Sequence, residues 1–281
     1  MEITFWGVRG SIASPGPDTI GVGGNTSCVE VRCGSQTIIL DAGTGIRRLG
    51  DKLMGEGAVE ATLLLSHLHW DHIQGIPFFV PAYVPSSRLQ IVGGTNGVMP
   101  LRDALAHQMT APVFPVRLDE LGAKIDWREV KPAESFKLGD VEVRVAKQNH
   151  PGGSYAYRLD YKGRSVVYAT DTEHYACVDP ALYALAKDAD VLIYDSQYTP
   201  EEYRGSSAGS SKVGWGHSTY VAGVELAWAA GVGQYVLFHH DPRRNDAAVE
   251  DIERKTRELF PHSVAAREGL KIDLLALAQA A

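Results

Sequence analysis

The run Ala61–Leu65 (ATLLL) is too short for a helix and apolar enough for a strand buried on both faces, and it opens directly into Ser66-His67-Leu68-His69-Trp70-Asp71-His72. A chain organised around it needs a sheet covered on both sides, with ligand-type side chains gathered at the strand's carboxyl end. The surrounding pattern agrees. Ile3–Trp6, Ser27–Cys33 and Thr37–Leu40 read as short strands between Gly/Pro loops, and a helix is expected from Thr44 to about Met54, capped at Gly43 or Thr44. Residues 88–93 read as another buried strand and 98–108 as a helix. Alternation then marks half-buried strands at 124–130, 135–138, 141–146, 155–160 and 165–169. The last third alternates helices at 180–187, 219–230 and 247–259, the last capped by Asp246, with strands at 191–194 and 235–238. Strands followed by a helix, twice over, predict an α/β fold of two packed sheets with helices outside, one continuous domain over residues 1–281.

Composition bounds the function. At 281 residues, 44% apolar and 22% charged, the chain is long enough for a large core and has globular composition. A net charge of −7 argues against a broad nucleic-acid footprint, which shows as a basic chain or stripe, but not against one small phosphate. No stretch approaches the roughly 18 apolar residues of a membrane span. The opening MEITFWGVRG has neither the basic nor the apolar region of a secretory signal. Cys28, Cys33 and Cys177 cannot form a paired framework. All three are expected to be reduced core thiols in a cytoplasmic protein, with Cys28 and Cys33 on opposite faces of one strand.

The chemistry gathers on the histidines. In an extended turn alternate residues face one way, so His67 and His69 can hold one cation together, while Asp71 and His72 reach a second nearby. Imidazole and carboxylate without thiolate suit zinc, manganese or iron(II). Other patterns carry less. Gly205-Ser206-Ser207-Ala208-Gly209 fits the nucleophile elbow G-x-S-x-G, but both flanks read as polar loop rather than strand and helix. Residues 21–24 (GVGG) lead into a strand and lack the Lys-Ser/Thr ending of a phosphate loop. Arg47–Arg48 and Arg243–Arg244 read as solvated pairs.

His67-Leu68-His69-Trp70-Asp71-His72 resembles the H-x-H-x-D-H signature of the metallo-β-lactamase-fold hydrolases, and the resemblance extends over nearly the whole chain. Residues 40–45 (LDAGTG) look like that family's first motif, His150 in NHPGGSYAY like its third and Asp171 in YATDTE like its fourth. Residues 216–219 (GHST) and 237–242 (LFHHDP) resemble the final histidine motifs of the phosphodiesterase branch, which includes tRNA 3′-processing endonucleases and cyclic-nucleotide phosphodiesterases. The resemblance implies an αββα four-layer sandwich and two divalent metal ions, zinc first, manganese or iron otherwise. His67, His69 and His150 would hold one ion, Asp71, His72 and His239 the other, and Asp171 would bridge them. His239 is preferred to His240 because the family's ligand comes directly off the strand. Asp41 is implied as a residue orienting the histidine loop rather than a ligand, though a turn aspartate reads equally well. His217 would contact the phosphate and donate a proton; Trp70 reads equally as lining the pocket or as a core or rim tryptophan, and Asn25 reads as a turn residue ahead of one that reaches the site.

On that resemblance the chain is expected to hydrolyse small phosphodiesters, cyclic nucleotides first among them. Two cations lower the pKa of a water held between them towards about 7, making hydroxide available to attack phosphorus. Asp71 would orient that hydroxide, and His217 would take up charge or give a proton. The alternatives are a tRNA 3′-endonuclease, a lactonase or phosphotriesterase of the same fold, and a non-catalytic nucleotide-binding protein. tRNA-processing relatives commonly grip their substrate with a long arm between the third and fourth motifs. The interval from His150 to Asp171 has room only for two strands and the turn Lys162-Gly163-Arg164. The insertion 95–122 carries Arg102 and Arg117 against Asp103, Asp119 and Glu120, and no lysine. The expected partner is therefore a small phosphodiester, with no extended nucleic acid and no membrane, and the family's habit implies a homodimer.

Overall fold

Two seven-stranded sheets absorb the alternating apolar pattern. The first contains β1 (Glu2–Gly7), β2 (Cys28–Cys33), β3 (Gln36–Leu40), β4 (Glu60–Leu65), β5 (Arg88–Gly94) and β6 (Lys124–Val130). The second contains β7 (Ser135–Leu138), β8 (Val141–Gln148), β9 (Ser154–Tyr161), β10 (Arg164–Ala169), β11 (Val191–Asp195), β12 (Gln234–Phe238) and β13 (Ser263–Ala265). A last strand, β14 (Lys271–Asp273), returns to pair with β1. The structure, a computed structural model, describes residues 1–94, 98–205 and 209–277. Three residues of the G-x-S-x-G pattern, Ser206, Ser207 and Ala208, lie outside the described residues, as do 95–97 of the insertion.

Each sheet repeats one plan: an antiparallel block passes into four parallel strands, β3 to β6 in the first and β10 to β13 in the second. The helices are α1 (Ile46–Glu56), α2 (Trp70–Ile73), α3 (Leu101–His107), α4 (Pro180–Ala186), α5 (Pro200–Arg204), α6 (Tyr220–Ala230), α7 (Asp246–Leu259) and α8 (Leu274–Leu277). Helices α1 and α3 cover the outer face of the first sheet through Ile46, Leu49, Leu101 and Leu105, while α4, α6 and α7 cover the second through Leu182, Val224, Ala227 and Ile252. The result is a helix–sheet–sheet–helix sandwich. Strand periodicity explains it: along β4, Leu63 and Leu65 join the helix-side core and Leu64 the core between the sheets. Cys28 and Cys33 divide between the same two cores, as their spacing requires.

Several local expectations are corrected. Cys177 is exposed rather than a core thiol, because it lies on the loop between β10 and α4 and not in an element. Helix α1 starts at Ile46 with Gly45 at its N-cap, since Thr44 is held outside by two reciprocal 2.9 Å hydrogen bonds with Thr26. Helix α3 is shorter than the pattern, because Pro100 at its N-cap disfavours helical backbone at the residue before it. Asn245, not Asp246, caps α7 by accepting from the Ala248 amide; the Asp246 carboxylate instead accepts from the amides of Gly21 and Val22. Arg244 is no solvated residue: it is largely buried, donating to the Gln197 carbonyl and pairing with Glu202. The short β13 and β14 escape the sequence pattern because three residues carry too little periodicity. Among the described residues no helix is long and apolar enough to cross a membrane.

The two sheets are registered by polar contacts at one end. The Tyr157 hydroxyl on β9 donates to the Leu65 carbonyl at the end of β4 (2.7 Å), and the Tyr155 amide donates to the Ser66 carbonyl (2.9 Å). The Tyr168 hydroxyl on β10 donates to the Asp41 carboxylate just beyond β3 (2.7 Å). Tyr157 is wholly buried, so Tyr157→Phe removes one buried hydrogen bond without changing shape and should cost about 0.5–1.5 kcal/mol. Urea unfolding should show a lower midpoint at unchanged slope; an unchanged midpoint would show that the bond contributes nothing.

Candidate metal centre

Parallel strands of both sheets end at one edge of the sandwich, and the functional side chains are delivered from there, the usual place for a ligand in sheets of this kind. Asp41 follows β3, His67 follows β4, Asp171 follows β10, Asp195 ends β11 and His239 follows β12. Asp41, Asp171 and His239 each adopt left-handed backbone, with φ of 59°, 52° and 60°. Non-glycine residues pay on the order of 1–3 kcal/mol for such a conformation, which the surrounding structure must over-determine. It turns the chain sharply out of the strand.

All seven ligand-type residues singled out in the sequence come together. His67, His69 and His150 form one group, and Asp71, His72, Asp171 and His239 a second, the donor atoms within each group lying within 4.8 Å of one another. Asp171 stands between them. Its Oδ1 lies 3.1 Å from Nε2 of His72 and 3.1 Å from Nε2 of His239, while its Oδ2 lies 3.6 Å from Nε2 of His67 and 3.8 Å from Nε2 of His150. Asp71 Oδ2 is 3.1 Å from His72 Nε2 and 3.2 Å from His239 Nε2, and it accepts the Ser11 amide at 2.7 Å.

The outward nitrogens are anchored. Nδ1 of His72 is 2.7 Å from Asp41 Oδ2, Nδ1 of His150 is 2.7 Å from the Gly216 carbonyl, and Nδ1 of His239 is 2.9 Å from Gln197 Oε1. Each acceptor holds a proton on Nδ1 and turns the bare Nε2 inward. Bare nitrogens facing carboxylate oxygens at about 3 Å repel unless a cation lies between them or the ring is protonated. Nε2 of His67 and of His72 are buried and make no hydrogen bond. The donor set therefore fits divalent cations, and its all-nitrogen-and-oxygen chemistry suits zinc, manganese or iron.

Asp41 proves wholly buried: it accepts from the Ser66 amide, the Ser66 hydroxyl, the Tyr168 hydroxyl and His72, so it orients the histidine loop and is not a turn aspartate. His240 faces away, donating from Nε2 to the Ala266 carbonyl, and burial pushes its pKa down to about 3. Asn25 is tied to Glu268 by its amide and side chain. Trp70 is exposed at the rim of a cleft of about 420 Å³, lined also by Ser11, Leu68, His69, Asp71, Asp171 and His217.

His217 is buried beside the centre, its ring stacked on His239 at 5.0 Å, and its Nδ1 lies 2.9 Å from Asp195 Oδ2. Burial alone would lower its pKa, but Asp195, with Asp171 and Asp71 beyond, raises it to about 9. The sequence reading missed Asp195, whose only signal is an acidic residue closing an apolar strand next to the one that ends before Asp171. It also missed Gln197 and Glu173. The buried Glu173 carboxylate accepts from the amides of Gly214 and Gly216 and from the Tyr203 hydroxyl, fixing the loop that carries His217. Gly216 must be glycine: its φ is 84° and a Cβ there would sit 2.2 Å from His150 Nδ1.

Comparisons with known proteins agree on the fold. The family described as "Beta-lactamase superfamily domain" matches residues 36–240. The chain is 28% identical over 293 residues to Ribonuclease Z of Mycobacterium avium, covering 98% of this chain and 96% of that one. In structure it is similar to Zn2+-bound PqqB from Methylobacterium extorquens, with TM-score 0.74 and 15% identity over 98% of this chain and 100% of that one. It is likewise similar to human tRNase Z, short form, with TM-score 0.69 and 19% identity over 98% and 99% of the two chains.

Asp41→Ala should weaken metal binding by roughly 10–100-fold, because His72 loses the group that fixes its tautomer. Competition with a chromogenic zinc chelator measures this directly; affinity equal to wild type would remove Asp41 from that role.

Proposed function

The chain belongs to the beta-lactamase superfamily, in its metallo-β-lactamase fold, and on that premise we propose that it is a binuclear-metal phosphodiester hydrolase acting on small substrates, cyclic nucleotides first. The observation that carries this is the position of Asp171, whose two oxygens face two separate sets of inward-turned histidines. His67, His69 and His150 would hold one ion, Asp71, His72 and His239 the other, with Asp171 shared. Two such cations, zinc foremost, neutralise phosphate charge and supply a nucleophile from water at neutral pH.

The rest of the chemistry falls to the chain itself. Asp71 lines the cleft, kept in place by the Ser11 amide, and orients the attacking water. Asp195 holds the Nδ1 proton of His217 and stabilises its cationic form, which leaves Nε2–H to serve a substrate in the cleft that His217 lines. That proton hydrogen-bonds a non-bridging oxygen as charge builds there and then passes to the leaving oxygen.

RNA is the second reading, favoured by a relative named Ribonuclease Z and a neighbour named tRNase Z, and those names stand against the expectation of no extended nucleic-acid partner. The local architecture favours the small substrate. The interval between His150 and Asp171 is spent on the hairpin of β9 and β10, with no arm. In the segment 98–122, Arg117 is paired with Asp119, so little positive charge is left to hold a polyanion.

Metal analysis should return two ions per chain after zinc or manganese loading; one or none would refute the binuclear reading. His217→Ala should lower kcat by roughly 10²–10⁴-fold while metal content stays at the wild-type level, and loss of metal would make His217 a ligand instead. A panel of cyclic mononucleotides, linear diesters, lactones and precursor tRNA under matched metal and salt decides the substrate. Site-specific cleavage of precursor tRNA with cyclic nucleotides untouched would establish the second reading.

A further inference from the structure

Three tryptophans are strongly exposed: Trp70 at 79%, Trp228 at 62% and Trp215 at 55%. Two of them are engaged. Trp228 packs edge-on against Phe260 at 4.9 Å and donates from Nε1 to the Leu259 carbonyl, and Trp215 carries the Lys212 ammonium 3.9 Å from its ring centroid. Among the described residues the Trp70 side chain has no ring, cation or hydrogen-bond partner. An indole left open in this way gives up a large apolar surface to water, and a flat ligand group that covers it recovers that surface.

Its position says which group. Trp70 stands between His69 and Asp71, so both of its chain neighbours belong to the metal centre. It opens α2, where the His72 amide donates to the His69 carbonyl and the Gln74 amide to the Trp70 carbonyl. These bonds tie the backbone down, and Trp70 lines the same cleft as Asp71, Asp171 and His217. Leu68 is a second apolar residue of the lining. A ligand filling this cleft has charge at one end and a flat apolar face at the other.

We infer that Trp70 is the specificity-determining residue of the cleft, the surface on which the nucleobase adjoining the scissile phosphate stacks. The inference rests on the phosphodiester reading above and adds to it the residue that recognises the base. Because every base offers a π-face, stacking on Trp70 demands a base without choosing which one. The base can belong to a free cyclic nucleotide or to the nucleotide at a cleavage point in RNA, since the chemistry recognised is the same.

The test compares kcat/KM for 3′,5′-cyclic AMP and for base-free ribose 3′,5′-cyclic phosphate in the zinc-loaded wild type, Trp70→Phe and Trp70→Ala, with metal content measured in each. The preference for the base-bearing substrate should fall by roughly 5- to 150-fold in Trp70→Ala and largely persist in Trp70→Phe. Cyclic AMP, GMP, CMP and UMP should differ little from one another in wild type. Should only RNA be cleaved, the same ratio is read from precursor tRNA with and without the base at the cleavage point, which assigns the source. An unchanged ratio in Trp70→Ala, or an equal loss on both substrates, overturns the inference. Calorimetric binding of AMP against ribose 5-phosphate separates this from failure of the phosphodiester reading. If no diester is hydrolysed but AMP binds tighter than ribose 5-phosphate and Trp70→Ala removes the difference, the stacking role stands alone; if AMP has no advantage, it falls.

Discussion

The Asp41 carboxylate is the constraint on which the centre depends. It is fully buried, and a buried anion is tolerated only when its oxygens are satisfied. Here four donors meet it: the Ser66 amide and hydroxyl from the end of β4, the Tyr168 hydroxyl from the opposite sheet, and Nδ1–H of His72. One group therefore ties β3 to β4, the first sheet to the second, and both to the histidine loop. Each group of the candidate site draws on both sheets, His67, His69, Asp71 and His72 following a strand of the first and His150, Asp171 and His239 following strands of the second. The separation of these two sets is thus fixed by the same contact that orients His72.

The site is also where the chain departs from relaxed backbone. Asp41, Asp171 and His239 take left-handed conformations at the ends of parallel strands, positions at which a chain would otherwise run on or curl into a helix. Close approach adds to this. A Cβ on Gly10 would sit 2.4 Å from the His239 ring, so the loop before Ser11 can pass behind that side chain only as glycine. The three left-handed residues are all buried between the helix-covered sheets, where packing and hydrogen bonds leave these conformations few alternatives.

Much of this was readable from local pattern. The ATLLL run and the alternation of β8 report burial correctly, and burial is what periodicity encodes. Strands β9 and β10, expected to be half-buried, are instead covered on both faces, because they lie inside the second sheet between the first sheet and the helices. Caps and ends were less legible. Thr44 has the residue type of an N-cap but spends its hydroxyl on Thr26, and Asp246 spends its carboxylate on Gly21 and Val22, partners far away in the chain. Gln197, Glu173 and Asp195 were missed for the same reason. Each works through a hydrogen bond to a residue more than twenty positions distant, and no short pattern marks such a pair.

By itself the sequence determined which side chains could serve chemistry and on which elements they ride. His67, His69, Asp71 and His72 follow a buried strand, and their alternation already sorts them into two directions. Which nitrogen of each ring turns inward follows from contacts made in the folded chain. The tertiary structure also decided that Asp171 lies between the two histidine sets, that His239 faces the centre while His240 faces Ala266, and that His217 leans on Asp195. The reason is physical. Strand periodicity is a property of neighbours along the chain, whereas tautomers, shared ligands and charge pairs depend on atoms brought within about 3 Å from separate strands.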